Sequence, residues 1–438
     1  MNAFSPEETR TILRDLQQPA VFLDMTQNWP VRNWTAAHLS TCLGDRQTQF
    51  RLGRLKGSNA PLFETQCAYE DATLSQFLNW SQNQTGADIG HFSKYPRSDY
   101  WAYADYKYIA MMFEDQPELY EDVKWSEFGF SGRDGRESTL WIGTKGANTP
   151  CHQDSYGCNL VLQVQGRKRW HLFPPEDTSK LYPTRIPYEE SSVFSQVDVL
   201  HPDLRRFPAF HSARVHSVTL EPGQVLFVPR HWWHYVESID HITVSVNTWI
   251  ELEEDDVARV SEAVTRAVVC ALKSAPCEDN TDAWLNPTET GVTPHQENLQ
   301  YLNLAVESCS QRLRQAQALD RKSHSRVKRD FRGQLRKSCT ADRDAAALPF
   351  GPHLVPVCGA KEHKCVCVVD SGAGGDTPPM DHKCEAMTQS DCSDSSSENH
   401  VDQQRTGLTT NDLLECLVHP DVIARVTQLL LDTHANRR

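Results

Sequence analysis

The short run Thr149-Pro150-Cys151-His152-Gln153-Asp154 holds a histidine and a carboxylate two residues apart. On an extended strand, residues two apart project from the same face, so an imidazole and a carboxylate would converge on one point. By itself His-x-Asp is weak, because the same pair arises by chance on many surfaces. It gains weight from a second element, Glu221-Pro222-Gly223-Gln224-Val225-Leu226-Phe227-Val228-Pro229 followed by His231-Trp232-Trp233-His234, a turn and an apolar strand that bring further imidazoles. Two histidines and one carboxylate on one face leave three positions of an octahedral iron open, the ligand set of non-haem Fe(II) oxygenases, whereas structural zinc favours a closed tetrahedral shell.

The third ligand must be chosen between His231 and His234. Pro229 ends the apolar strand, so His231 falls in a turn, where a side chain faces solvent or caps a backbone group. His234 opens the next extended run, Tyr235-Val236-Glu237-Ser238, and is the better choice. Lys168 is a candidate counter-ion for an anion held inside a poorly solvated barrel; the alternative is a solvated lysine between Arg167 and Arg169.

Strands must position these groups. Residues 88–250 alternate as strands do in Asn159-Leu160-Val161-Leu162-Gln163-Val164, Arg169-Trp170-His171-Leu172-Phe173, Gln224-Val225-Leu226-Phe227-Val228 and His241-Ile242-Thr243-Val244-Ser245-Val246. Gln165-Gly166 between the first two reads as a hairpin turn. Many short strands with turn punctuation predict a mainly β fold, a sandwich or barrel. Residues 5–87 read as the N-terminal part of that fold and 88–250 as its core.

The pattern changes at residue 251. Val257, Val260, Val264, Val268 and Leu272, then Leu299, Leu302, Val306, Cys309 and Leu313, recur at helical steps, which predicts a helical appendage over 251–319 whose second helix starts near Thr293-Pro294. Residues 320–405 read as a disordered linker, basic over 321–337 and then dominated by Ser, Asp, Glu, Gly and Thr. In 406–438, Leu413, Leu414, Leu417 and Val418, and after Pro420 the set Val422, Ile423, Val426, Leu429 and Leu430, predict two amphipathic helices that dock back onto the body.

With 39% hydrophobic residues, 23% charged and a formal charge of −14, the 438-residue chain is globular in composition and poorly suited to binding a phosphate backbone. The start lacks the pattern of a signal peptide and no apolar run is long enough to span a bilayer, so the expectation is a cytoplasmic protein with free thiols, with a nuclear fraction if the basic segment acts in import. Cys358, Cys365, Cys367, Cys384 and Cys392, near His363 and His382, lack the paired spacing of a zinc site.

Taken together, Thr149-Pro150-x-His152-x-Asp154, Gly166-x-Lys168-Arg169-Trp170-x-Leu172-Phe173-Pro174-Pro175, Pro222-Gly223 with Phe227-Val228-Pro229, and Trp233-His234-x-Val236 resemble the JmjC, cupin-like family of Fe(II)/2-oxoglutarate oxygenases, in family order over residues 5–250. The resemblance implies a double-stranded β-helix (JmjC/cupin jelly roll). It implies Fe(II) on His152, Asp154 and His234, 2-oxoglutarate as co-substrate and O2. It places Lys168 at the distal carboxylate of 2-oxoglutarate with Thr149 and Tyr103 beside it, and Asn159 and Asn247 near the metal end. One extra residue separates Asp154 from Asn159 relative to the asparaginyl-hydroxylase pattern. Asn28-Trp29-Pro30, Trp101-Ala102-Tyr103-Ala104-Asp105-Tyr106 and Trp232-Trp233-His234 resemble the branch associated with small heat shock proteins, which implies a chaperone partner and a stress-response role. Hydroxylation of a protein side chain is the expected reaction. Histone demethylation fits less well, since no paired-cysteine reader module accompanies the barrel, and a catalytically silent scaffold that binds a chaperone is the rival from another class.

Overall fold

The computed structural model describes residues 2–55, 60–274, 285–287, 291–330, 348–359 and 409–436. The strands before the site are β1 (Ala20–Phe22), β2 (Gln47–Arg54), β3 (Ala68–Thr73), β4 (Tyr100–Tyr108) and β5 (Thr139–Thr144). The strands that build it are β6 (Asn148–Asp154), β7 (Cys158–Gln165), β8 (Lys168–Phe173), β9 (Pro183–Glu189) and β10 (Ser192–Ser195). Then come β11 (His216–Leu220), β12 (Val225–Val228), β13 (Trp233–Ser238), β14 (Ile242–Ile250) and β15 (Leu354–Pro356).

Two antiparallel sheets face each other. One runs β15-β1-β12-β7-β14-β5-β4-β2-β3 and the other β11-β8-β13-β6-β10-β9. Val21, Val161 and Leu226 of the first meet Trp170, Leu172 and Val236 of the second, closing the jelly roll that the motifs imply. Residues 5–87 and 88–250 are therefore woven into one sandwich, since β1, β2 and β3 belong to the larger sheet.

The alternation within the strands explains the layering. Leu160, Leu162, Val244 and Val246 turn outward beneath helices α1 (Pro6–Asp15), α2 (Ala36–Leu43) and α3 (Leu74–Ser81) and the single turn α4 (Ile109–Met112), while Asn159, Val161, Ser245 and Asn247 turn inward. Ser5 and Glu8 form a capping box that starts α1, whose Ile12 and Leu13 join this outer core.

The expected hairpin at Gln165-Gly166 is not one. β7 pairs with β12 and β14, and β8 pairs with β11 and β13, so the turn carries the chain from one sheet to the other. Gly166 adopts φ +62°, and a side chain there would collide with the Ile242 carbonyl. Two adjacent alternating runs signal strands, but nothing local says whether they pair.

Helices α5 (Asp256–Lys273) and α6 (His295–Asp330) form the appendage, and α7 (Thr410–Leu417) and α8 (Pro420–Asn436) dock on it. Val260, Val306, Cys309 and Leu431 make one small core, and Val269, Leu414, Val418 and Tyr188 another. Val257, Leu299 and Leu313, part of the expected stripes, are exposed.

Two segments of the expected linker 320–405 are ordered elements. α6 continues to Asp330, because the five Arg and Lys residues of that stretch are strong helix formers whatever their charge. Leu354–Pro356 forms β15 on the edge of β1, with Leu354 fully buried. Low complexity on either side hid a short apolar strand that had an edge to pair with. Cys365, Cys367, Cys384, Cys392, His363, His382 and the acidic tract lie outside the described residues. Among the described residues, no helix is long and apolar enough to cross a membrane.

Candidate metal centre

His152 and Asp154 close β6, and His234 lies at the start of β13, directly opposite His152 in the register of the two strands. One ligand atom from each of these three residues lies within 4.8 Å of the others. The two histidines are prepared alike. The Nδ1–H of His152 donates to the carbonyl of Pro150 at 2.9 Å, and that of His234 to the carbonyl of Trp232 at 3.0 Å. A carbonyl only accepts, so the proton is fixed on Nδ1 and each Nε2 presents its lone pair inward. Burial, and after it the neighbouring His152, push His234 down to about 3, so its ring is neutral at physiological pH, as a metal ligand must be. Burial raises the Asp154 carboxyl above its usual range, a penalty that a cation in the site would remove. The donor set fits a divalent ion with open coordination positions.

His231 stands apart. With φ +65° it sits in the turn, its Nε2 bonded to the Ser155 carbonyl at 3.0 Å and its own carbonyl accepting from Gln153 Nε2 at 2.6 Å. It caps backbone, as the turn position implied.

Beside His152 and His234 lies an inner chamber that is also lined by Tyr103, Thr149, Asn159, Lys168 and Asn247, all five of the proposed co-substrate contacts. Lys168 is 2% exposed, which excludes the solvated alternative. Its Nζ donates to the Tyr103 hydroxyl at 3.0 Å and to Ser245 Oγ at 2.7 Å, and it faces the rings of Tyr103 and Trp141. Burial lowers it to about 7, with Asp105 pulling the other way. The Thr149 hydroxyl is buried in the same chamber, beside Tyr103. Asn247 is already engaged: its Oδ1 accepts from Thr139 and from Trp141 Nε1, and its Nδ2 donates to Asn159 Oδ1 at 3.0 Å.

A wider cleft of about 590 Å³ reaches the same centre from outside and is lined by His152, Asp154, Tyr106, Trp249, Glu189 and Arg259 among others. The centre thus borders two cavities, a narrow one walled mostly by buried side chains and a wide cleft.

Residues 6–256 match the family model described as Cupin-like domain. The chain belongs to this cupin-like, JmjC-type family. It is 54% identical to HSPB1-associated protein 1 homolog of Danio rerio, over 98% of this chain and 97% of that protein. It is 50% identical to HSPB1-associated protein 1 of Homo sapiens, over 98% of this chain and 93% of that protein. Lysine-specific demethylase 8 of Xenopus tropicalis is more distant, 29% identical over 53% of this chain and 48% of that protein.

Several residues in and behind this cupin-like chamber are not among the sequence-predicted site residues. Ser245 and Trp249 flank Asn247 at two-residue steps on β14, so strand alternation alone was enough to find them. Arg51 carried no such signal. It is fully buried, its Nε on Asp105 at 2.6 Å and its NH2 on the Asn148 carbonyl at 2.9 Å, and its guanidinium lies 5.7 Å from the Tyr103 ring. A cation between Phe50 and Leu52 reads as an exposed strand residue until the fold brings Asp105 to it.

Proposed function

We propose that this chain is an Fe(II)- and 2-oxoglutarate-dependent oxygenase that hydroxylates a protein side chain. One observation carries the reading: a buried lysine whose ammonium, among the described residues, bonds to two hydroxyls and to no carboxylate stands in the same inner chamber as two histidines whose Nε2 lone pairs face a carboxylate. Such a lysine is costly to bury and calls for an anion.

His152, Asp154 and His234 would hold the iron, which when bound supplies the redox centre at which 2-oxoglutarate is decarboxylated to succinate and CO2 as oxygen enters a substrate C–H bond. Lys168 binds the distal carboxylate of the co-substrate, and Tyr103, Ser245 and Thr149 direct hydroxyls to the same place. Burial and Asp105 raise the Tyr103 phenol above its ordinary value, which keeps it a proton donor. Trp141, Trp170 and Val161 wall out water, and the Nδ1–carbonyl bonds hold both imidazoles in the ligating tautomer. The substrate approaches by the open cleft.

The names of the relatives that match nearly the full chain tie those proteins to HSPB1. We extend to this chain a small heat shock protein as partner and a role in the stress response.

Anaerobic addition of Fe(II) and 2-oxoglutarate is expected to produce a weak metal-to-ligand absorption band, and succinate is expected to form in air without added substrate. A folded protein giving neither is a scaffold. Loading with an inert divalent metal to trap bound proteins, then restoring iron and searching by mass spectrometry for one added oxygen, identifies the substrate.

A further inference from the structure

Strand β4 is irregular where it passes the metal centre. Ala104 pairs with Ile142 and Lys107 with Leu140, so three steps on β4 span two on β5. The surplus is taken up in a bulge at which Tyr106 adopts φ +51°. That left-handed conformation is uncommon for a bulky side chain, and such conformations gather where function requires them. The bulge also reverses the parity of the strand, so that Tyr103 and Tyr106, three apart, both face inward.

Tyr106 lines both cavities, the inner chamber and the wider cleft, and shares that position with His152 and Trp249. Its ring lies 4.4 Å from that of Trp141 and 6.4 Å from that of Trp249, near-parallel to the latter at 8°. Trp141 is fixed in turn by its bond to Asn247. An aromatic wall therefore stands between the co-substrate chamber and the cleft, with its strained member, Tyr106, on the border of the two.

Resting on the reading of the metal centre above, we propose that Tyr106 is the dividing and specificity-determining residue of the site: its ring, paired with Trp249, shields the chamber from solvent and obliges a substrate side chain to pass the edge of this aromatic pair to reach the metal. A slender, extended side chain is admitted and a wide one is refused. The ring face is the working part and the hydroxyl is dispensable.

The test uses Mn(II) with 2-oxoglutarate on the full chain, reading affinity and the relaxation of solvent protons, which reports water access to the metal without turnover. Tyr106→Asn removes the ring yet tolerates the left-handed backbone. It is expected to bind Mn(II) and 2-oxoglutarate within about threefold of wild type while relaxation rises about twofold, and Tyr106→Phe is expected to match wild type. Should Tyr106→Asn fail to fold, Tyr106→Leu carries the same readout. Wild-type relaxation in the ringless variant overturns the proposal, as does a tenfold loss of Mn(II) affinity, which assigns the ring to packing. Absence of Mn(II) binding by the wild type overturns the metal reading, and this proposal with it.

Discussion

His152 and His234 are direct partners across the antiparallel pair β6 and β13, with ring centroids 4.2 Å apart. Side chains directly opposite on neighbouring strands are the closest cross-strand neighbours a sheet offers, so the register of one strand pair fixes the distance between the two imidazoles.

That pairing separates the two histidines of the His231-Trp232-Trp233-His234 run. After anaerobic loading under identical conditions, His234→Ala is expected to lose most bound iron and His231→Ala to keep it, measured as metal per folded chain. The reverse pattern moves the site into the turn and defeats the assignment. Asp154→Ala is expected to remain folded and to lose iron-dependent decarboxylation of 2-oxoglutarate altogether, since Asp154 would supply the anionic ligand of the proposed triad.

Lys168→Met is expected to weaken 2-oxoglutarate binding by about a hundredfold or more, because a buried carboxylate left without its cation costs several kcal/mol. Metal affinity should change little. Titration of each ligand in turn checks this, and equal loss of both affinities assigns Lys168 to the fold.

The same lysine sets a pH dependence. In the empty chamber it is held down at about 7, and a bound carboxylate would raise it again. Above pH 7 the empty site therefore holds an amine and the filled site an ammonium, so binding takes up a proton and affinity falls by up to about tenfold per pH unit. Below pH 7 this group contributes no slope. Calorimetry in buffers of different ionisation enthalpy measures the proton uptake, and a flat affinity between pH 7.5 and about 9 contradicts it.

Asn247→Ala is expected to act mainly on stability. Its amide accepts from Thr139 and Trp141 and donates to Asn159, so removing it strips buried groups of partners at a cost of about 1–3 kcal/mol. A clear drop in Tm with 2-oxoglutarate affinity within a few-fold of wild type is the expected result, and an unchanged Tm contradicts it.

The strand in the expected linker is testable in the same way. Leu354 is fully buried in the main core whereas Val355 is 41% exposed. Leu354→Ala should cost about 2–4 kcal/mol in denaturant unfolding and Val355→Ala less than about 0.5. Equal, small effects show that β15 adds nothing to the fold.

The sequence alone determined the types of the candidate ligands and the pattern that orders them. His152 and Asp154 share a face because they are two apart on a strand, and His234 was separable from His231 because Pro229 ends one strand and Tyr235 continues another. Alternation likewise announced the strands, and helical spacing announced α5 to α8. Only the tertiary structure decided which strands pair, so the turn at Gly166 became a crossover between sheets and Leu354–Pro356 found an edge at β1. It also decided two changes of parity. Thr149 is three residues before His152 and should face away from it, yet the register shifts between His234 and Val236 opposite, and both line one chamber. Tyr103 and Tyr106 share that chamber through the bulge in β4. A bulge is set by the fit between two paired strands, and Arg51 is buried only because Asp105 arrives from another strand. Local spacing carries the period of a strand; the partner across it decides where that period breaks.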